Sequence, residues 1–427
     1  MAESNEIKAN WLEYLGLFSL QCLIPAVFLA ATPKGSRWRY VPIAGMIWIT
    51  KHCMHPVSDR RVFWACGVSI LVMMVFQAIQ FLLIEPLDIS DVSRVRGEDA
   101  EGFGARVYQA FKLFLQHRHI NTPWQTRNVP SHPEYYRRRG MPTPSRGRFL
   151  LRQTLTFAWQ YLAVDMFGTV GRQQVEKKGR SSGEFSPLEW SVSAEKWVER
   201  AITNIITWFI VARLILDYQY RFRSILCVGL GLDSPANCPP AFGSMADAYT
   251  IRNYWGVFWH QFLRKPFTSA SSFITRNILG LPRPSLLERY TNIFLVFFCS
   301  ATMHVMIDYV QTIAVQLSGS MPFFLSFVLG IMIEDGVQAL WRRLQTSGKI
   351  QTSESQVPPR WKRIVGLLWV MAWLGITSTW FLHPHTQLPE PNASVPFHFA
   401  ERLGLDIVGG ILLIGGIVLG WVFEVEV

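Results

Sequence analysis

The sequence predicts an all-α polytopic membrane protein with about eight or nine transmembrane helices and additional interfacial helices. Of the 427 residues, 50% are hydrophobic and only 17% are charged, whereas a soluble domain carries about 25% charged residues. The 17 tryptophans and 29 phenylalanines suit a protein that meets a lipid interface. This composition excludes a disordered chain and a small disulfide scaffold. It predicts a single integral membrane domain over residues 1–427.

The N-terminal part of the chain contains three apolar blocks. Trp11–Ala31 follows an acidic leader rather than the basic leader of a signal peptide, so we expect a first span that is retained. Tyr40–Thr50 is short for a crossing, which leaves a tilted span, a re-entrant segment and an interfacial helix as alternatives. Val62–Ile84 contains no charged residue and is predicted to cross the membrane.

The central part alternates between polar and apolar segments. Residues 86–148 are basic and contain several prolines, so we interpret them as a basic cytosolic loop with short surface helices, one of them near Val107–Leu115. Phe149–Phe167 is predicted to be a span although it contains two charged residues. Ala201–Leu216 is predicted to be the next span, after a second polar stretch.

The clearest spans lie in the C-terminal half, where four apolar blocks are each long enough to cross a bilayer. They are Ile293–Leu317, Pro322–Trp341, Ile364–Leu382 and Leu403–Phe423. No internal repeat is visible among the spans, which weakens the interpretation of the chain as an inverted-repeat transporter.

The charge distribution predicts an orientation. The net charge is +11, and long uncharged blocks interrupt the basic residues, which argues against a nucleic-acid partner. The basic loops at residues 34–39, 86–148 and 342–363 fall on one side of the membrane if Tyr40–Thr50 crosses, and the positive-inside rule places that side in the cytosol. The sequon at Asn392 then lies in a lumenal loop, so we expect a glycoprotein.

His304 is the most informative intramembrane residue, because ionisable groups inside a span are costly and mark functional sites. Asp308 follows it by one helical turn, Gln311 by two turns, and Ser300 precedes it by one turn, so all four share a helix face. A carboxylate at that spacing predicts that Asp308 orients the imidazole as a base. The alternative is a buried histidine bonded to a neighbouring helix; the presence of Asp308 favours a functional role.

A second candidate site lies in residues 251–266, an aromatic segment flanked by basic residues. As a helix, it places Asn253, Gly256 and His260 on one face, with Trp255 and Trp259 in an adjacent stripe. Such a helix at a membrane surface is suited to an anionic amphiphile. The alternative is an aromatic belt helix with no catalytic part.

The other polar motifs carry less information. Glu334 and Asp335 are adjacent and therefore point about 100° apart on a helix, which favours structural pairing over a shared catalytic role. The histidine pairs at residues 52/55, 117/119 and 383/385 lack a completed ligand set, so no metal site is predicted. Gly-rich nucleotide motifs and a GxSxG elbow do not occur.

Three runs resemble one enzyme family. Residues 237–264 resemble the signature block of the wax synthase-like membrane-bound O-acyltransferases, in particular the fungal O-acetyltransferases of terpenoid and meroterpenoid biosynthesis. The W-G-x-x-W-H-Q core of that block is present as Trp255, Gly256, Trp259, His260 and Gln261. Residues 300–304, S-A-T-M-H, are similar to the family's S-G-x-x-H block, with alanine at the usual glycine. Residues 118–125 are similar to its R-x-x-x-T-P-W element.

The resemblance implies an enzyme with a catalytic core over residues 237–310 and a membrane-bound O-acyltransferase-like fold. Its reaction would transfer an acyl group, acetyl in the closest branch, from acyl-CoA to the hydroxyl of a hydrophobic secondary metabolite in the endoplasmic reticulum membrane. His304 corresponds to the catalytic histidine, and His260 would act on the thioester. We expect Arg252, Arg264 and Lys265 to meet the phosphates of CoA. No bound cofactor is expected, and the sequence specifies no oligomeric state.

Two other functions are compatible with parts of the sequence. A membrane terpene cyclase would use Glu334 or Asp335 as the acid, but it leaves the W-G-x-x-W-H-Q block unexplained. A proton-coupled transporter would use His304 and Asp308 as a relay. The lack of a repeat counts against the transporter.

Overall fold

The computed structural model describes residues 10–56, 61–97, 101–141, 143–178, 193–347, 358–388 and 395–425, and these ranges contain helices and no strand. The α-helices are α1 (Trp11–Ala31), α2 (Tyr40–Cys53), α3 (Arg61–Ile79), α4 (Ile89–Arg96), α5 (Phe103–Leu115), α6 (Glu134–Arg137), α7 (Arg146–Lys178), α8 (Ala194–Ile206), α9 (Ala212–Gly229), α10 (Ile251–Asn253), α11 (Arg264–Phe273), α12 (Leu286–Val310), α13 (Ser320–Ser347), α14 (Arg360–Thr386), α15 (Phe399–Leu403) and α16 (Leu405–Phe423). Four π-helical segments extend or join them, namely Gln80–Ile84, Thr207–Val211, Tyr254–Phe258 and Ile274–Ile278. The sequon at Asn392 lies outside the described residues.

Seven segments of the described chain are long and apolar enough to cross a membrane. They are Leu12–Ala31, Val62–Ile84, Ala194–Gly229, Leu286–Val310, Val315–Leu344, Arg360–Thr386 and Leu405–Phe423. The last of these leaves large apolar side chains exposed, with Trp421 at 87% and Leu413 at 68% of their full surface. Such a surface is suited to lipid contact. The chain is an integral membrane protein, and the expected all-α polytopic fold is confirmed.

The short block Tyr40–Thr50 forms part of α2, which runs antiparallel to α1. At one end, Arg39 Nε donates to Thr32 Oγ1 at 3.1 Å, and at the other end His52 Nε2 lies 2.8 Å from Glu13 Oε1. The 14 residues of α2 measure about 21 Å. Because its two ends meet the two ends of α1, the structure favours the short crossing among the three alternatives.

Helix α7 extends well beyond the predicted span Phe149–Phe167, to 33 residues. It runs antiparallel to α16, with Arg152 Nε donating to the carbonyl of Phe423 at 3.2 Å. Further along α7, Asp165 Oδ2 accepts the backbone N–H of Ala400 at 2.7 Å. Both charged residues of the predicted span therefore bind backbone groups of the C-terminal segment. The seven candidate spans, which include neither α2 nor α7, are roughly consistent with the predicted eight or nine.

The predicted span Ala201–Leu216 was too short, because the structure has one 36-residue segment, Ala194–Gly229. Asp217, the residue after the predicted span, is buried, and its carboxylate lies 2.8 Å from Arg221 Nη2. Gln160 Nε2 of α7 also donates to Asp217 Oδ2 at 2.7 Å. Charges that are paired and hydrogen-bonded in this way are tolerated inside a span, so the helix continues through them.

The 86–148 segment is also more embedded than predicted. Helix α5 covers the expected helix at Val107–Leu115, but it buries Ala110, Leu113 and Phe114 in a core shared with α1 and α3. These positions follow the i, i+3, i+4 spacing of one helix face. The helix therefore packs one face against the bundle, while Phe103 and Tyr108 remain exposed.

The basic loops meet at one face of the bundle, which we call the basic face and define by its ion pairs. Lys34 pairs with Asp91, Lys265 with Glu85, Arg276 with Glu288, and Arg289 with Asp335. The starts of α11 and α12 and the C-terminal part of α13 lie at this face. Lys34, the 86–148 segment and α13 are thus on one side, as the predicted orientation requires.

The largest core cluster positions the candidate site. It combines aromatic residues of α12, α13, α14 and the π-helical segments Thr207–Val211 and Tyr254–Phe258. Helix α14 approaches the segment that precedes α10 closely at Gly366. A Cβ on this residue would lie 2.1 Å from the carbonyl oxygen of Tyr249. This contact requires glycine on sterics alone.

We expect Gly366→Ala to lower the free energy of unfolding by about 1–3 kcal/mol, because the methyl group forces α14 away from Tyr249. The measurement is the thermal midpoint of the detergent-solubilised protein. Gly336→Ala in α13 is the matched control, since a Cβ there has no neighbour within 4 Å. An unchanged midpoint for Gly366→Ala would contradict the close helix contact.

Candidate active site

His304 lies in the last third of α12 and is oriented by its own helix. Its Nδ1 lies 2.8 Å from the carbonyl oxygen of Ser300, one turn earlier. A carbonyl only accepts hydrogen bonds, so Nδ1 carries the proton and Nε2 keeps its lone pair. No described residue hydrogen-bonds Nε2, and the ring lies against Phe324 with centroids 4.2 Å apart. This tautomer presents a base at Nε2.

The prediction that Asp308 orients the His304 imidazole is wrong, because the two side chains do not hydrogen-bond each other. Asp308 Oδ2 accepts from the hydroxyls of Ser318 and Ser320, at 2.6 and 2.7 Å, and Oδ1 lies 3.3 Å from His385 Nε2 on α14. The carboxylate is almost fully buried. Helical side chains lean toward the N-terminus, so the His304 ring reaches back to its i−4 carbonyl while Asp308 faces the start of α13. Asp308 therefore joins α12, α13 and α14.

Residues 251–266 do not form the predicted single helix. Helix α10 continues as the π-helical segment Tyr254–Phe258, and the backbone becomes extended at Trp259, whose N–H still donates to the carbonyl of Tyr254. His260 consequently lies in a loop before α11, and it does not share a helix face with Asn253 and Gly256. Asn253 instead closes the first turn of α10 by donating its N–H to Thr250 Oγ1 at 2.9 Å.

Two glycines of this region have different surroundings. A Cβ on Gly243 would lie 2.5 Å from the carbonyl oxygen of Val257, so the fold requires glycine there. A Cβ on Gly256 would meet only Arg264 Nη1, at 3.8 Å. Packing within the protein therefore does not explain the glycine of the W-G-x-x-W-H-Q block.

Hydrogen bonds to backbone carbonyls hold the His260 loop in place. Gln261 Nε2 donates to the carbonyls of Trp255, at 3.1 Å, and Trp259. Arg264 Nη1 donates to the carbonyl of Gly256 at 2.5 Å and to Gln261 Oε1 at 3.0 Å. Gln261 of the W-G-x-x-W-H-Q block and Arg264, which was expected to meet the CoA phosphates, thus both fix the loop conformation.

Arg118 supports the same loop from a distant part of the chain. The guanidinium is only 3% exposed and donates to the carbonyls of Pro239 and Pro240 and to the hydroxyl of Tyr220. It also lies over the ring of Phe262, 5.3 Å from the centroid. The sequence marked Arg118 only as part of a similar motif, and the structure gives it this role.

His260 is held among aromatic rings. Its ring stacks on Phe262 with centroids 5.0 Å apart and lies edge-on to Phe242 at 5.9 Å. Its Nδ1 is buried and has no hydrogen-bond partner among the described residues. Burial lowers the pKa of His260 to about 3, and the charges of His304 and Arg118 act in the same direction. The imidazole is therefore neutral at physiological pH, and His304 is close enough to influence it.

The two histidines are joined by a continuous set of rings, which we call the aromatic cluster: Trp208, Trp255, Trp259, Phe323, Phe324 and Phe381. His304 lies 4.2 Å from Phe324, which lies 5.9 Å from Trp255, and Trp255 lies 5.5 Å from Trp259. Trp259 is 5.5 Å from His260. Trp208 belongs to no recognised motif, and sequence reasoning missed it.

Both carboxylates of α13 accept hydrogen bonds. Glu334 accepts the backbone N–H groups of Ile251 and Arg252 and the indole N–H of Trp369, so it caps the start of α10. Asp335 pairs with Arg252 and Arg289 at 2.8 and 2.7 Å. These contacts give both carboxylates structural roles, as the sequence favoured.

The basic residues expected to bind CoA all have protein partners. Arg252 pairs with Asp335, yet 42% of its side chain remains exposed. Lys265 pairs with Glu85 at 3.1 Å. Arg264 is occupied in the His260 loop. All three lie near the basic face, and Arg252 is the most accessible of them.

Comparison with known proteins identifies the family. The sequence model of the membrane bound O-acyl transferase family matches residues 238–326, which contain both histidines. Acetyltransferase atnC of Arthrinium sp is 38% identical over 95% of this chain and 95% of its own length. The chain belongs to the membrane bound O-acyl transferase family. It is therefore an acyltransferase, and the resemblance seen in the sequence is confirmed.

Other relatives of this acyltransferase also carry acetyltransferase names. Acetyltransferase spyB of Aspergillus fumigatus is 36% identical over 95% of this chain and 70% of its own length. Acetyltransferase cdmC of Talaromyces verruculosus is 32% identical over 96% of this chain and 97% of its own length. No solved structure matches the chain significantly.

The geometry of Asp308 gives a stability prediction. Asp308→Ala leaves the hydroxyls of Ser318 and Ser320 without their acceptor, and we expect it to lower the free energy of unfolding by about 1–3 kcal/mol. Asp308→Asn keeps an oxygen acceptor and should retain most of that stability. The measurement is the thermal midpoint of both purified variants.

The Asp308→Asn variant also separates a structural role of Asp308 from a catalytic one. Because Ser300 orients His304, Asp308→Asn should keep kcat within about threefold of the wild-type value. A loss of kcat comparable to that of a His304 variant, at normal stability, would restore the His304–Asp308 dyad.

Proposed function

We propose that this acyltransferase moves an acetyl group from acetyl-CoA to a hydroxyl of a hydrophobic secondary metabolite, a terpenoid or meroterpenoid alcohol. The observation that carries the proposal is the pair of imidazoles at the ends of the aromatic cluster, one whose Nε2 no described residue hydrogen-bonds and one whose buried Nδ1 has no described partner. The acetyltransferase names of the relatives support acetyl as the acyl group. The residence of the enzyme in the endoplasmic reticulum membrane is part of the proposal.

His304 acts as the general base in this mechanism. Nε2 takes the hydroxyl proton as the alcohol oxygen attacks the thioester carbonyl carbon. The tetrahedral intermediate then collapses, the C–S bond breaks, and the proton returns from Nε2 to the CoA thiolate. The bond of Nδ1 to the Ser300 carbonyl stabilises the imidazolium that forms between these steps.

His260 acts as a neutral hydrogen-bond donor. With a pKa near 3, its ring is a poor base but still offers an N–H to the thioester oxygen. A neutral imidazole with a depressed pKa polarises a carbonyl in triosephosphate isomerase by the same logic. Two histidines in different environments thus take different parts of one reaction.

The remaining expected residues surround these two. We propose that the apolar acceptor and the acetyl group bind beside Trp255, Trp259 and Gly256, with Asn253, Gln261 and Ser300 positioning the segments that carry them. We propose that the CoA phosphates bind at the basic face, where Arg252 is accessible and Arg264 and Lys265 add positive charge. Cytosolic CoA and a bilayer-dissolved alcohol then meet at the aromatic cluster.

The direct test uses microsomes that contain the protein, labelled acetyl-CoA and a panel of terpenoid alcohols. We expect a labelled ester from at least one alcohol. His304→Ala should lower kcat by about 10²- to 10⁴-fold, the usual contribution of a general base. His52→Ala is the control, because this exposed histidine pairs with Glu13 far from the site. Cyclisation or transport of an unacylated substrate without ester formation would refute the proposal.

The pH dependence tests the role of His260. Its pKa of about 3 keeps the ring neutral between about pH 5.5 and 8.5. We therefore expect the ratio of wild-type kcat to that of His260→Asn to stay constant across this range. The absolute loss should be about 10- to 100-fold, because asparagine retains a donor. A ratio that changes around pH 6 to 7 would show instead that His260 titrates during catalysis.

A further inference from the structure

We propose that the indole N–H of Trp208 donates a hydrogen bond to the carbonyl oxygen of the transferred acyl group. Trp208 would thereby act with His260 on the oxyanion that forms when the alcohol attacks. This inference rests on the proposed acetyl transfer and adds a catalytic residue that no motif of the sequence marks.

The first support is an unsatisfied donor. Trp208 is only 5% exposed, and its Nε1 is buried without a hydrogen-bond partner among the described residues. Buried tryptophans usually find an acceptor for this group, and leaving such a donor unpaired costs about 1–3 kcal/mol. A ligand oxygen supplied during the reaction would satisfy it.

The second support is the location of the ring. Trp208 lies 5.5 Å from Phe381, and Phe381 lies 5.8 Å from His304. On its other side it lies 5.3 Å from Trp259, the neighbour of His260. Trp208 therefore belongs to the set of rings between the proposed base and the proposed carbonyl donor.

The third support is a convergence of unpaired nitrogens. Trp255 Nε1 and His260 Nδ1 are also buried without partners among the described residues, and both belong to the W-G-x-x-W-H-Q block. Trp208 reaches them from a different part of the chain. It lies in the π-helical segment Thr207–Val211, and such single-turn interruptions of α-helices are frequent at functional sites.

The chemistry suits an indole. Attack on the thioester moves an electron pair from the C=O bond onto oxygen, and a donor aimed at that oxygen lowers the barrier. An indole N–H is only a donor and carries no charge, so it adds no base that competes with His304. No proton leaves Trp208 at any step, and the hydroxyl proton still passes through His304 to the thiolate.

The test removes the N–H and keeps an aromatic ring. Trp208→Phe and wild type are titrated with two CoA analogues: a ketone in which a methylene replaces the thioester sulfur, and S-ethyl-CoA, which has no carbonyl oxygen. We expect the variant to bind the ketone about fivefold more weakly, as for one lost neutral hydrogen bond, and S-ethyl-CoA with unchanged affinity. With labelled acetyl-CoA and the best alcohol, kcat should fall about 10- to 100-fold.

Trp373→Phe is the matched control. Its indole nitrogen is also buried without a described partner, but the ring packs beside Trp369 and against Gly330 of α13, and it makes no ring contact with His304 or His260. We expect it to change neither the affinity for the ketone nor kcat. A thermal midpoint for each variant separates lost packing from a lost hydrogen bond.

Three results would overturn the inference. Wild-type affinity and kcat in Trp208→Phe would remove Trp208 from catalysis and leave the proposed function intact. Equal weakening of both analogues would assign Trp208 to packing. Absence of acetyl transfer by the wild type itself would refute the proposed function and the inference with it.

Discussion

Inside the hydrocarbon core of a membrane, a polar group finds its hydrogen-bond partner within the protein or has none. The structure of this acyltransferase depends on that constraint. Asp217 pairs with Arg221 and Gln160, which joins α7 to α9. Glu334 caps α10, and Asp308 gathers hydroxyl groups at the start of α13. Charged residues in spans suggest catalysis when they are seen in sequence alone. In this fold most of them hold helices together.

Several polar atoms that have no hydrogen-bond partner among the described residues lie in or around the aromatic cluster. His304 Nε2, His260 Nδ1 and the indole nitrogens of Trp208 and Trp255 all belong to the aromatic cluster or border it. Acyl transfer from a thioester to an alcohol needs one base and donors for an oxyanion. In the reaction that we propose, the unpaired donors and the oriented imidazole would supply that set, in surroundings where each hydrogen bond is stronger than in water.

The two histidines also show how backbone context assigns chemical roles. His304 lies on a regular helix, whose own i−4 carbonyl fixes the tautomer. His260 lies in an extended loop that Gln261, Arg264 and Arg118 hold against aromatic rings. Burial and nearby positive charge keep the second ring neutral. These two contexts underlie the roles that we propose, His304 as the base and His260 as the hydrogen-bond donor.

The sequence alone determined the membrane class, most of the spans and the family. An apolar run of about 20 residues predicts a transmembrane helix, and the W-G-x-x-W-H-Q block is specific to the family. It also identified His304 from its depth in a span. Predictions from residue spacing within one helix were wrong where a polar side chain bonds to a segment that is distant in sequence, or where the helix ends early. Asp308 faces the starting residues of α13 rather than His304, and the helix through His260 ends at Trp259.

Only the tertiary structure showed that Arg118 holds the segment around Pro239 and Pro240 and that Trp208 lies in the aromatic cluster. More than a hundred residues separate Arg118 from the prolines that it holds, and Trp208 has no motif around it. Helix periodicity reports neighbours within about two turns. The packing of the whole bundle decides which groups the buried Arg118 guanidinium bonds, and it leaves the Trp208 indole N–H without a partner among the described residues.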